Sequence, residues 1–375
     1  MRIFLILICF SNLLLLDFFS RENKIEFKYE DGFIIVDEIE INKTKINGGF
    51  LFDTGAQLTV VDSSLLEFID YKEIGDLTSV DFLGNKKRVK KININSIKLG
   101  NNHMYDIDAF VMNLGVYGCS DFKGILGFNI IKKANWIIDF RRQVLKIIDI
   151  SQSVNQDKSI KIPFKIKKNT AIINLKIGNN SFKTILDTGA KNELNLTLKD
   201  FEELKNKKEL RDSVYRIELY SKSLNEKKLS KKTVLLSKAE NISINDMLFE
   251  KKITFSGART LGIDFFKSSE LLILDFKENK ILFKENKPQF YEPIVTKHGI
   301  NFKKTDTGVL IVSYLRKKSV FDELGVEIGD KVLSVNNVDC YGLNNCDCKE
   351  YLNKEIIKDS LSVNFIRHKI LSLYK

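Results

Sequence analysis

Phe50-Leu51-Phe52-Asp53-Thr54-Gly55-Ala56 returns further along the chain as Thr184-Ile185-Leu186-Asp187-Thr188-Gly189-Ala190. In each copy an apolar run leads into an Asp on a glycine turn, which predicts a carboxylate at the end of each strand. A single Asp-Thr-Gly is ordinary turn chemistry, because Asp and Gly are common turn residues. Two copies in matching contexts point instead to a paired carboxylate site. Such a pair can hydrolyse peptide bonds without a metal or a nucleophilic side chain.

The repeat runs well beyond the tetrapeptide. Downstream of the first copy come Ile125-Leu126-Gly127, Trp136-Ile137-Ile138-Asp139-Phe140 and Val144-Leu145-Lys146-Ile147. Downstream of the second come Thr260-Leu261-Gly262, Leu272-Ile273-Leu274-Asp275-Phe276 and Ile281-Leu282-Phe283. The offsets are 187 − 53 = 134, 262 − 127 = 135 and 275 − 139 = 136. A near-constant offset through three landmarks marks a tandem duplication.

The chain has 375 residues, enough for two or three domains. A hydrophobic fraction of 43% allows sizeable cores and argues against wholesale disorder. The formal net charge of +11 comes from lysines spread along the whole length. Runs such as Lys86-Lys87-Arg88, Lys205–Lys208 and Lys227–Lys232 lack interleaved aromatics and a recognition module. They read as solvated hairpin tips and helix faces, with no nucleic-acid partner. A basic surface still biases the protein toward anionic envelopes or acidic substrates.

Arg2, the apolar stretch Ile3–Leu16 and the polar Arg21-Glu22-Asn23-Lys24 have the layout of a secretory signal peptide over residues 1–20. Ser11 and Asn12 break the stretch, which is short for a membrane-spanning helix. An exported, soluble protein is expected, with an uncleaved N-terminal anchor as the alternative. Of the five cysteines, Cys119, Cys340, Cys346 and Cys348 remain after cleavage. There is no Cys-x-x-Cys pair, and His368 is the one histidine near the C-terminal three, so no metal is expected. Buried thiols or one local disulfide are the expected states.

Punctuation divides the rest. The polar Ser151–Lys158 separates the two repeats, Pro163 opens the second, and Pro288 and Pro293 bracket a linker. The expected division is 24–150, 159–286 and 294–375. Phe33–Ile41 and Ala171–Ile177 read as β-branched strands ahead of the carboxylate strands. Ser64-Leu65-Leu66-Glu67 has capping-box spacing for one helix, and Thr197 is the predicted N-cap of another over Leu198–Leu204. Val80–Val89, tipped at Gly84-Asn85, reads as a β-hairpin. Tyr215–Val234, tipped near Ser223–Glu226, is its longer counterpart.

These residues resemble retropepsin-like aspartic proteases, in particular bacterial secreted ones that join two such lobes and a PDZ domain. The resemblance rests on the two Asp-Thr-Gly-Ala segments and on Ile125-Leu126-Gly127 and Thr260-Leu261-Gly262, and covers nearly all of the chain after residue 24. It implies a mainly β fold: two tandem pepsin/retropepsin-like β-barrel lobes forming a bilobal aspartic protease, plus a C-terminal PDZ domain. It also implies a bacterial envelope location, periplasmic or extracellular. Asp53 and Asp187 would be the catalytic dyad of a monomer with an intramolecular pseudo-twofold. Thr54 and Thr188 would hydrogen-bond across the lobe interface. Gly55 and Gly189 would let the turns fold tightly, beside Ala56 and Ala190, and Gly127 and Gly262 would lie beneath the loops. The hairpin around Gly84 is the flap candidate, closing over peptide or unfolded-protein substrate.

Two carboxylates held together cannot both ionise easily and so share one proton. The ionised partner takes a proton from an attacking water, the protonated one donates to the carbonyl oxygen, and no cofactor is needed. Ala56 and Ala190 stand where pepsin-like enzymes carry a hydroxyl, so a less extreme acid optimum is expected. The second copy continues Lys191-Asn192-Glu193, placing charge beside the dyad. Lys191 either points to solvent or pairs with Asp187 and spoils proton sharing.

The run Leu324-Gly325-Val326-Glu327-Ile328-Gly329-Asp330-Lys331-Val332-Leu333-Ser334-Val335-Asn336-Asn337 resembles the core of PDZ domains. On that resemblance Gly299, Ile300, Asn301 and Phe302 form the carboxylate-binding loop and first groove strand, capturing peptide C-termini. Thr307–Val312 would be a strand, Ser319–Leu324 a short helical turn, Cys348–Ile356 the groove helix and Leu361–His368 the closing strand. Two rival readings keep the same fold. One is a catalytically silent peptide-binding scaffold; the other makes the first lobe half of an intermolecular dimer site.

Overall fold

Alternation of buried and exposed side chains organises the strands. In Asn180–Asp187 every second residue is buried, as a half-covered strand requires. The computed structural model describes residues 24–30, 32–80, 85–114, 122–152, 154, 159–210, 214–221, 230–284, 298–305, 307–366 and 371–373. The proposed signal peptide, Cys119, His368, Pro288 and Pro293, and the hairpin tips at Gly84 and Ser223–Glu226 lie outside the described residues.

The two copies of the repeat are built on the same strand order. In the first, Gly49–Phe52, Phe122–Leu126, Thr59–Asp62, Asn102–Met112 and Lys86–Leu99 are consecutive neighbours in one ten-stranded sheet. In the second, Asn180–Asp187, Thr260–Gly262, Leu194–Thr197, Met247–Ser256 and Ser230–Ile244 follow the same sequence. Each carboxylate strand runs parallel to its apolar-apolar-Gly strand. Leu51 faces Ile125 and Phe52 faces Leu126, while Ile185 faces Thr260 and Leu186 faces Leu261.

A six-stranded sheet takes strands from both copies, joined where Asn135–Asp139 pairs antiparallel with Leu271–Asp275. These are the two related apolar segments, and they pair two-fold about Ile137 opposite its equivalent Ile273, with Trp136 opposite Leu274 and Ile138 opposite Leu272. One apolar core runs through both copies and includes Phe52, Trp136, Leu186 and Phe265. Trp136 packs edge-on against Phe52 with ring centroids 5.0 Å apart, and its indole N–H donates to Ile131 O at 2.6 Å.

The C-terminal segment has a separate core around Val312, Phe321, Leu352 and Phe365. Its strand Leu310–Arg316 is nonetheless spliced into the second copy's sheet, pairing with Tyr215–Ser221. Ile300–Lys304 ends that sheet, and a helix spans Asn345–Ile356.

Several local expectations are met and others shift. Thr197 caps Leu198–Asn206, with the Thr197 and Asp200 side chains in a reciprocal capping box. The hairpins are present as Lys72–Val80 with Lys86–Leu99 and Tyr215–Ser221 with Ser230–Ile244. Phe33–Ile41 is not one strand: Phe33–Val36 and Ile39–Ile41 are separate, the first beside Leu51 and the second beside Lys86–Leu99. Ser64 is not the cap of its helix. Asp62 takes that place, accepting from Ser64 N at 2.9 Å, over a short 3-10 turn Ser63–Glu67. The third-segment turn is Val320–Glu323, capped by Ser319, and its preceding strand starts at Leu310 rather than Thr307.

Candidate active site

Asp53 and Asp187 each follow a strand that delivers its carboxyl to the same place. The loops are clasped by two threonines in a two-fold arrangement. Thr54 Oγ1 donates to Leu186 O at 2.8 Å and accepts from Thr188 N at 3.0 Å. Thr188 Oγ1 donates to Phe52 O at 2.8 Å and accepts from Thr54 N at 3.0 Å. Both threonines are fully buried, and each hydroxyl is satisfied as donor and acceptor by the opposite copy. Loss of either would strand backbone groups in the interior.

The glycines are there because the carboxyls are. A Cβ on Gly55 would stand 2.4 Å from Asp187 Cγ, and one on Gly189 would stand 2.4 Å from Asp53 Cγ. Each carboxyl therefore lies against the other copy's turn, which no larger residue permits. Gly127 and Gly262 lie under the loops. A Cβ on the first would strike Leu58 backbone, and one on the second would strike the Asn192 carbonyl. Matching bonds tie the layers: Phe128 N donates to Ala56 O at 2.7 Å and Ile263 N to Ala190 O at 3.0 Å.

The carboxyls are unequal. Asp53 Oδ1 accepts from Gly55 N at 2.7 Å and Ala56 N at 3.2 Å. Asp187 Oδ1 accepts from Gly189 N at 3.1 Å. Burial pushes both pKa values up from the usual carboxylate range. For Asp53 the loop N–H groups and a hydrogen bond with Asp187 oppose that rise. For Asp187 the neighbouring Asp53 charge adds to it and carries it well above the ordinary value. The pair thus holds one proton more firmly than an isolated carboxyl does.

Lys191 is exposed, as its solvent-facing reading expected. Its ammonium lies over the Phe33 ring, 4.3 Å from the centroid, and its stem packs against Gly32 of the first copy. Its charge acts on Asp264, helping to offset the burial that raises that carboxyl.

Sequence reading missed Asn129. Its Oδ1 accepts from Thr59 N at 2.8 Å and Thr59 Oγ1 at 3.0 Å, and its Nδ2 donates to Asp108 O at 2.8 Å. It braces the strand that leaves the Asp53 loop. Its position two residues after Gly127, matched by Asp264 two after Gly262, was the available signal.

At the C-terminal segment, Gly299 has φ +72 and crowds Ser319, where a Cβ would come within 2.7 Å. Ile300 and Phe302 are buried, and Asn301 Oδ1 accepts from Phe302 N at 2.7 Å. Cys340 and Cys348 are buried and Cys346 exposed, all three as free thiols, so the local disulfide is not formed.

No curated protein matches the chain. Residues 38–130, which contain Asp53, match the family described as aspartyl protease, a match that supports a peptide-hydrolysing enzyme and fits the mainly β fold with its few short helices.

Proposed function

We propose that the chain is an exported aspartic endopeptidase whose single site is built from Asp53 and Asp187. The observation that carries this is the reciprocal threonine clasp, which sets two buried carboxyls against each other's glycine turns. The division into lobes at 24–150 and 159–286 and a PDZ-like domain at 294–375 belongs to this reading, as do cleavage of a signal peptide at 1–20, a bacterial envelope location and a monomeric state. Both carboxyls come from one chain, which supports the intramolecular site over a dimer site.

The chemistry follows from the shared proton. With the pair singly protonated, the ionised carboxylate accepts a proton from a water as that water attacks the scissile carbonyl. The protonated carboxyl donates to the carbonyl oxygen, giving a tetrahedral gem-diol. Return of a proton to the amide nitrogen then breaks the C–N bond. The loop N–H groups on Asp53 favour its ionised form, while burial and the adjacent charge keep the proton on the pair.

Recruitment of peptide tails is assigned to the C-terminal segment. Ile300–Lys304 ends its sheet, with Asn345–Ile356 packed beside it. A peptide could extend that edge by strand addition.

The test is cleavage of an unfolded protein by residues 21–375 across pH, with Asp53→Asn and Asp187→Asn alongside. Each variant should lose at least about 10²-fold in kcat. The wild type should stay active above the ordinary carboxylate range, because its pair loses the shared proton only when pH exceeds the raised Asp187 value. Loss confined to Asp53→Asn would make the second copy structural. No wild-type cleavage at any pH, with the fold verified, would replace the enzyme by the silent scaffold.

A further inference from the structure

The sheet face carrying each carboxylate differs between the two copies. Along a strand, side chains alternate, so Leu51 shares the face of Asp53 while Phe50 and Phe52 enter the main core. Strand registers extend that face sideways: Leu51 opposite Ile125, Ile125 opposite Val60, Val60 opposite Phe110. All four residues are apolar. They belong, with Ala56 beside the catalytic loop and Val89 of the hairpin, to a cluster separate from the main core.

The second copy has the same row in the same registers. Ile185 shares the face of Asp187 and stands opposite Thr260, Thr260 opposite Asn195, and Asn195 opposite Thr254. Their neighbours Leu186, Leu194, Leu196, Ile253, Phe255 and Leu261 turn into the core. Three of the four positions are therefore polar where the first copy is apolar. The polar groups are held in place: Asn195 Oδ1 accepts from Ser256 Oγ at 2.9 Å, Asn195 Nδ2 donates to Ala258 O, and Asn192 Nδ2 lies 3.5 Å from Thr260 Oγ1. The loop between Asp and this row is one residue longer in the second copy, since 60 − 53 = 7 and 195 − 187 = 8.

We infer that the cleft is chemically two-sided: the Asp53 wall takes an apolar side chain on one side of the scissile bond, and the Asp187 wall takes a hydrogen-bonding one on the other. The substrate class is a peptide whose cleaved bond joins an apolar residue to a Ser-, Thr-, Asn- or Gln-type residue. Thr260 and Thr254 are the specificity-determining residues of the polar wall, with Asn195 positioned by Ser256. An apolar side chain on that wall would desolvate the half-buried Thr254 hydroxyl and the buried Thr260 hydroxyl without offering either a hydrogen bond, and a hydrogen-bonding pocket rejects such a ligand strongly. This rests on the hydrolase reading for its consequence but on the strand registers for its geometry.

The experiment maps cleavage sites in a denatured protein digest by mass spectrometry for the full chain, Thr260→Ile, Thr260→Val with Thr254→Val, and Ile125→Thr. Wild-type sites should be apolar on one flank and polar on the other. Each second-copy variant should shift the polar flank toward apolar residues by about tenfold or more. Ile125→Thr should relax the opposite flank and leave the polar one in place. The conservative valine pair keeps the test valid where Thr260→Ile does not fold. Wild-type sites equally apolar on both flanks would overturn the inference while leaving the hydrolase intact. If the wild type does not cleave, the same peptides are enriched on Asp53→Asn: a two-sided preference in binding keeps the cleft assignment and sinks the hydrolase, and no such preference sinks both.

Discussion

Asn129 and Asp264 occupy the same place in the two copies, two residues beyond Gly127 and Gly262. Asn129 makes three hydrogen bonds that fasten the Thr59 strand to the layer beneath it. In the second copy Leu194 stands at the position of Thr59 and has no hydroxyl to offer Asp264. Asp264 Oδ1 has no hydrogen-bond partner, and the Lys267 ammonium stands 3.9 Å away. The catalytic loops themselves share the reciprocal threonine bonds and a glycine N–H donated to each carboxyl, with Asp53 Oδ1 also accepting from Ala56 N. The duplication therefore repeats what touches the carboxyls, while the braces one layer down have diverged. Exact symmetry is needed only where the two copies bond to each other.

The largest effect should come from breaking the intact brace. Asn129→Ala removes the acceptor for a buried N–H and hydroxyl and the donor to Asp108 O, at a cost on the order of 3 kcal/mol. Urea unfolding would measure it. A loss below about 1 kcal/mol would mean that the Asp53 loop is held by the threonine clasp alone.

Next come the glycines, where the copies should behave alike. Gly55→Ala and Gly189→Ala each drive a Cβ to 2.4 Å from the opposite carboxyl carbon. Each should cost about 1–3 kcal/mol by overpacking and displace one member of the pair, lowering kcat. Strongly unequal costs for the two would show that one loop yields, and so that the clasp is softer on that side.

At Asp264 the sign reverses. Burial raises its pKa, with Lys267 and Lys191 opposing. A carboxyl raised on folding stabilises the fold below its unfolded pKa and loses that contribution as pH climbs through the folded value. Asp264→Asn should therefore stabilise the protein at neutral pH by about 1 kcal/mol, with the gain vanishing below the ordinary aspartate range. Thermal unfolding at both pH values reads it out. A gain that persisted in acid would assign the effect to packing rather than to charge.

The parts legible in sequence were those fixed by local chemistry. Asp-Thr-Gly-Ala must be a tight turn, Thr197 ahead of Leu198–Leu204 reads as an N-cap, and a repeated offset reveals a duplicated fold. Long-range pairing left weaker marks. Nothing in Leu310–Arg316 signals that it joins Tyr215–Ser221 across sequence, because an edge strand's partner is chosen by backbone geometry rather than by side-chain type. Asp37-Glu38 gave no clear break in Phe33–Ile41, yet Ile39–Ile41 leaves for a different neighbour. The chemical contrast between the walls was also out of reach, since which of Val60 or Val61 faces the cleft depends on registers that sequence does not specify.

Lys191 carries the smallest expected effect and the sharpest comparison, because its place in the first copy is Gln57, which bears no charge. From sequence, a cation beside Asp187 threatens proton sharing. In the structure its ammonium is occupied over Phe33, and the causes that raise Asp187 are burial and the Asp53 charge. Lys191→Ala should then cost about 0.5–1 kcal/mol of stability through the lost cation–π contact. It should leave both limbs of the pH–rate profile where they are. Asp264, by contrast, should lose a compensating charge, so that Lys191→Ala with Asp264→Asn is less destabilised than Lys191→Ala alone, a non-additivity a double-mutant cycle resolves. An alkaline limb displaced upward in Lys191→Ala would mean that the lysine reaches the dyad after all, since removing a nearby cation makes the shared proton harder to lose.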